Sequence, residues 1–302
     1  MTRYLKRQKN KMVTKKLTLS LLSISLLSIV IACNINNNKT EYQFIDKLTN
    51  KKTDQLNSNE HLITIFVHGT VLPVPSFSAL NYSFNKYTPK SSSCYQKYLN
   101  YLRDEIYAIC QPNQGLGLKK INLEEEKNKK NNINYLYTKS YEEILKKVHP
   151  VENQQRSFYT FGWNGRLDHK KRVQAAEDLY KSLIEELENL KKLNPSQKIT
   201  LEIIAHSHGG NVVLNLADSE QKFKKNLLID KTILLGTPIQ NETKNFVHSD
   251  IFKKIYNFYS KGDMIQVIDV ISTNAKSKRK IKTEQPASKV VHVKLCAEKL
   301  NP

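Results

Sequence analysis

The run Ile203-Ile204-Ala205-His206-Ser207-His208-Gly209-Gly210 sets one serine between an apolar, strand-like stretch and a helical pattern carried by Val212, Val213, Leu216 and Ala217. On a sharp strand-to-helix turn a serine hydroxyl is exposed, and the crowded backbone tolerates only small residues two positions to either side. Ala205 and Gly209 fill those positions, and Gly210 lets the helix that follows pack closely on a sheet. Ala205 stands where glycine is usual, and a methyl is the smallest group it could add. The chemistry this pattern serves is nucleophilic attack by Ser207 on an ester carbonyl. Its other use is an ordinary helix N-cap.

Three histidines, His68, His206 and His208, fall near one strand edge and raise a second chemistry, metal binding. Zinc needs three or four converging ligands, and an i, i+2 spacing around a sharp turn does not by itself make side chains converge. No metal is expected. The four cysteines match no zinc spacing either. Cys94 and Cys110 lie sixteen residues apart and can form a disulfide in an oxidising compartment, which would leave Cys296 unpaired.

The elements that must position Ser207 are legible as short apolar runs. Residues 61–67 form a strand candidate stopped by His68-Gly69-Thr70, and residues 157–161 form another, ending at Gly162-Trp163-Asn164-Gly165. Ala176, Leu179, Leu183, Leu187, Leu190 and Leu193 recur at three- and four-residue spacing, which predicts an amphipathic helix that Pro195 ends. Residues 198–205 form the strand that leads into the serine turn, and 232–235, 255–259 and 290–295 are further strands. Strand and helix alternate, so the expectation is an α/β fold with a mostly parallel sheet flanked by helices. Between the first two strands, residues 71–156 make a long interruption with a helix-like stretch at 95–109 and a low-complexity run at 119–134. An interruption of that length inside a compact domain is usually functional or disordered. It reads as a lid-like insertion beside the site; for 119–134 a surface insertion without catalytic part is an equal reading.

Seven basic residues and no acid precede an apolar, Ser-rich run at 17–32 that ends at Cys33. This is the pattern of a secretory signal. Val30-Ile31-Ala32-Cys33 resembles a bacterial lipoprotein box, which implies cleavage and lipidation at Cys33 and a protein held on the membrane of the cell envelope, facing outside the cytoplasm. The alternative is an uncleaved anchor, although the run falls short of the roughly 18 to 20 apolar residues of a spanning helix. The division expected is a signal at 1–33, a polar tether at 34–60 and one domain at 61–302.

The whole chain has 48 basic and 28 acidic residues, a net charge of +20; without the seven leader cations it is +13. No nucleic-acid motif accompanies that charge, so scattered lysine and affinity for an anionic membrane surface explain it better than a nucleic-acid partner. The densest cluster, Lys276 to Lys282, is either a headgroup contact or a solvated loop.

Five motifs, in order, carry a resemblance: Phe66-Val67-His68-Gly69-Thr70, Gly162-Trp163-Asn164-Gly165, Ala205 to Gly210, Leu235-Gly236-Thr237-Pro238 and Tyr259-Ser260-Lys261-Gly262-Asp263. Together they resemble the lipase and esterase branch of the α/β-hydrolase superfamily, over residues 62–295 without the insertion. The resemblance implies a serine ester hydrolase acting on lipid or acyl esters, with no metal or organic cofactor. It implies an oxyanion hole made of the backbone N–H groups of His208 and, near the end of the first strand, Thr70. It also implies that His206 sits inside the turn and that His68 shapes the oxyanion loop, so that neither is expected to be the general base.

The chain order Ser, Asp, His of that superfamily makes Asp263 the acid, with Asp269 and Asp230 as runners-up. Only His292 follows Asp263, so it is the candidate base. It lies inside a strand-like run, whereas the superfamily carries this histidine on the loop after the last strand; period-two alternation equally allows His292 a structural role. Two functions follow: the hydrolase, or a non-catalytic lipoprotein of the same fold that binds lipid or a surface partner.

Overall fold

A computed structural model of the chain describes residues 60–70, 116–127, 133–148, 154–261, 263, 277–284 and 287–295. Cys33, Cys94, Cys110, Cys296, Asp269 and the 95–109 stretch lie outside the described residues.

Seven strands form one sheet in the order β2-β3-β1-β4-β5-β6-β7. They are β1 (Glu60–Val67), β2 (Gly117–Lys120), β3 (Gln155–Gly162), β4 (Lys198–His206), β5 (Lys231–Leu235), β6 (Ile255–Ser260) and β7 (Val290–Leu295). Every neighbouring pair is parallel except β2 with β3. β1 has ladder partners on both sides and is buried along almost its whole length, which is why its sequence reads as a continuous apolar run and not as an alternation. Of its polar residues, His61 bonds across the ladder through one ring nitrogen, Nε2 lying 2.9 Å from Ser157 Oγ.

The helices are α1 (Leu123–Lys127), α2 (Ile133–Val148), α3 (His169–Leu193), α4 (Gly209–Leu214) and α5 (Leu216–Phe223). Asp168 caps α3 by accepting from Lys170 N at 2.7 Å. Its core stripe is the expected one at Ala176, Leu179 and Leu183, thins to partial burial at Leu187 and Leu190, and ends before Leu193, which is exposed. Two hydrogen bonds and ion contacts hold α3 to α5: Tyr180 OH donates to Glu220 at 2.7 Å and Lys222 Nζ meets Glu177 at 2.7 Å. The residues of α2 from Leu136 belong to a second compact unit. Within it, Lys139–Glu142 and Glu143–Lys146 pair one turn apart at 2.8 and 3.4 Å.

The 119–134 run is not uniform: Lys119 and Lys120 end β2, α1 occupies the middle, and α2 begins at Ile133. β2 has no apolar run of its own, and its form comes from antiparallel pairing of Gly117–Lys120 with Tyr159–Gly162. No helix among the described residues is long and apolar enough to cross a membrane.

Candidate active site

Ser207 sits between the last residue of β4 and the start of α4 with φ of +51°, the left-handed region that L side chains avoid. Such a conformation costs about 1–2 kcal/mol for a residue with a Cβ and persists only where the surroundings impose it. Here they do so from three sides. Ser207 N donates to Leu235 O at 2.9 Å, tying the turn to the end of β5, and Gly210 N returns to Ser207 O at 3.0 Å. A Cβ on Gly69 would lie 2.6 Å from Ser207 Cβ, and one on Gly209 would lie 2.4 Å from His68 O. A Cβ on Gly210 would lie 2.1 Å from Thr237 Oγ1. The turn therefore fits only because glycine stands at all three close approaches, each on or facing an end of β1, β4 or β5.

Behind the turn a buried polar network holds α4 to the loop after β5. Asn211 Nδ2 donates to Pro238 O at 3.0 Å, and Thr243 Oγ1 donates to Asn211 Oδ1 at 2.8 Å. Asn215 Nδ2 donates to Asn211 O at 2.7 Å. Sequence reading missed this network; the sequence signal for it was two asparagines one turn apart on an otherwise apolar helix.

The histidines divide by what their rings already do. His68 Nδ1–H donates to Gly69 O at 2.7 Å, and its Nε2 accepts from Trp163 N at 3.2 Å. Trp163 stacks on the same ring and returns its indole N–H to His68 O at 2.7 Å. Burial holds His68 neutral by lowering its pKa. It is thus committed to shaping the loop that carries Thr70. His206 is different: its ring makes no hydrogen bond among the described residues. Its Nδ1 and Ser207 Cβ both lie within 3.3 Å of one point beside Gly69. Burial is the main influence lowering the His206 pKa; Asp263 opposes it, and His68 and His208 add to it.

Asp263 is brought to this sheet end. Gly236, at φ +60°, turns the chain after β5, and a Cβ there would lie 3.5 Å from Asp263 Oδ2. The runner-up Asp230 is engaged at the other end of β5, accepting from Leu201 N at 2.9 Å and pairing with Lys253 at 2.6 Å.

His292 is not brought to Ser207. It pairs in register with Asn257, which pairs with Leu234, which pairs with Ala205. Three strand spacings separate it from β4, roughly 14 Å. Both ring nitrogens are taken: Nε2–H donates to Ile281 O at 3.1 Å, and Nδ1 accepts from Asn257 Nδ2 at 3.2 Å. The expectation of His292 as base therefore meets a geometric correction, because order along the chain says nothing of distance between strands; the structural role that alternation allowed is the one its two hydrogen bonds fit. Among the described residues no group of three His, Cys, Asp or Glu side chains is arranged to hold a metal ion.

No protein-family model, curated protein or solved structure matches this chain.

Proposed function

We propose that this protein is a serine ester hydrolase of the α/β-hydrolase type, acting on lipid or acyl esters at the cell envelope, where lipidated Cys33 would tether it. The observation that carries the reading is Ser207 at φ +51° on a strand-to-helix turn walled by Gly69, Gly209 and Gly210. A strained turn of that kind is retained where a hydroxyl must be presented. The part of the 71–156 interruption outside β2 and β3 would form the lid-like insertion.

In the reaction, Ser207 Oγ bonds to the acyl carbon and its proton passes to a base. The ester C–O bond then breaks, the leaving alcohol takes the proton, and water repeats the sequence on the acyl-enzyme. The backbone N–H groups of His208 and Thr70 would stabilise the oxyanion, whose charge appears only in the transition state. Asp263 is the acid. The base we propose is His206, which the sequence pattern set aside as sitting inside the turn: its Nδ1 and Ser207 Cβ approach the same point beside Gly69, and its ring makes no hydrogen bond among the described residues; no metal or organic cofactor enters.

The occupied nitrogens of His292 favour one other reading, a non-catalytic lipid-binding protein on the same fold. Fluorophosphonate labelling of the full chain in detergent decides between the two, with Ser207→Ala as control. Labelling confined to Ser207 is expected; a folded chain that takes no label would leave the binding reading.

A further inference from the structure

The connection from β6 to β7 contains a basic segment, residues 277–284, and what it holds is Asp263. Lys278 exchanges two backbone hydrogen bonds with Ile239, at 2.9 and 2.8 Å, just beyond β5. Buried Asn257 donates to Arg279 O at 2.9 Å, and His292 Nε2–H donates to the carbonyl of buried Ile281 at 3.1 Å. The remaining Asn257 hydrogen goes to His292 Nδ1, which fixes the proton of that ring on Nε2. Pinned at three points, the segment aims the Arg279 guanidinium at Asp263: Nε and Nη2 both donate to its carbonyl oxygen, at 3.2 and 2.9 Å.

Asp263 needs such a grip. It lies three residues past the end of β6, and its carboxylate stands against Gly236. We propose that Arg279 is the positioning residue for Asp263, and that His292 anchors the segment carrying Arg279 and does not act as the base. This rests on the reading of Ser207 and Asp263 as nucleophile and acid. A two-donor grip on one carbonyl belongs to the planar guanidinium; a lysine carries the same charge without the fork. The segment then has a use beyond its charge, because its main-chain carbonyls, and not its lysines, receive the anchoring side chains.

The test measures the rate of Ser207 phosphonylation by a fluorophosphonate, against pH, on the full-length chain, with thermal melts to confirm folding. Gln at position 292 can still donate to Ile281 O but cannot serve as a base. His292→Gln is therefore expected to label within about threefold of wild type, with an unchanged pH profile. Arg279→Lys is expected to label about tenfold more slowly through loss of alignment. Its acid limb should move to lower pH, because a carboxylate displaced from the imidazole no longer favours the protonated ring. A folded His292→Gln chain slower by about a hundredfold or more would make His292 the base and overturn the proposal. Arg279→Lys at the wild-type rate with an unmoved limb would overturn it as well. Should the Gln variant not fold, His292→Asn takes its place. A folded wild-type chain that takes no label overturns the hydrolase reading and this proposal with it, whereas failure of the variants in a labelling wild type overturns the proposal alone.

Discussion

Ser207 shows how much a single residue's backbone can say about its use. A left-handed serine is a standing cost, and glycine at the same place would remove it. Ser207→Gly and Ser207→Ala both delete the hydroxyl, but only the first relieves the strain. The glycine variant is expected to be the more stable of the two by about 0.5–1 kcal/mol in urea denaturation, after its larger unfolded-state entropy is set against the relief. Equal stability would mean that the φ of +51° is imposed without strain. The small residues of this turn could be read directly, because steric exclusion is a property of residue type. The fate of His292 could not, since a hydrogen bond to Ile281 O depends on where a separate segment crosses the sheet.

At the scale of elements, the apolar runs at β1, β3 and β4 were visible because parallel strands covered on both faces leave little polarity to confuse the pattern, whereas β6 and the edge strand β7 showed through short apolar stretches despite partial exposure. The strand β2, with the sequence Gly-Leu-Lys-Lys, was not visible: it sits on the sheet edge and owes its form to β3. The position of Asp263 was suggested by chain order, but the Arg279 grip on it was not, because a lysine-rich run looks the same whether solvated or pinned. The α4 helix depends on Asn211 more than on its short length would suggest. Asn211→Ala would strip Thr243 Oγ1 and Pro238 O of their partner in a fully buried place, at a cost of about 2–4 kcal/mol by chemical denaturation. A loss under about 0.5 kcal/mol would show that water replaces the amide there.

Over the whole molecule, the buried histidines link stability to pH. His61, His68, His169 and His206 all have pKa values lowered chiefly by burial. Their unfolded values are near 6.5, so the unfolded chain takes up protons before the folded one does as pH falls. Their contribution is complete above about pH 6.5 and is lost as pH falls toward the folded values. The added charge also falls on a chain already at +20. The melting temperature is expected to be level from pH 7 to 8 and several degrees lower at pH 5; a level curve down to pH 5 would contradict the burial of these rings.

The place of β1 in the sheet has one more effect. It is the first strand among the described residues, yet its neighbours are β3, which begins at Gln155, and β4, with Thr64 opposite Glu202, 138 residues on. One side of β1 cannot be closed until just over half the chain exists, and the other not until about two thirds does; such distant pairings form slowly because the intervening loop must be closed first. β1 therefore gains its ladder late in synthesis, on one side from β3 and on the other from β4.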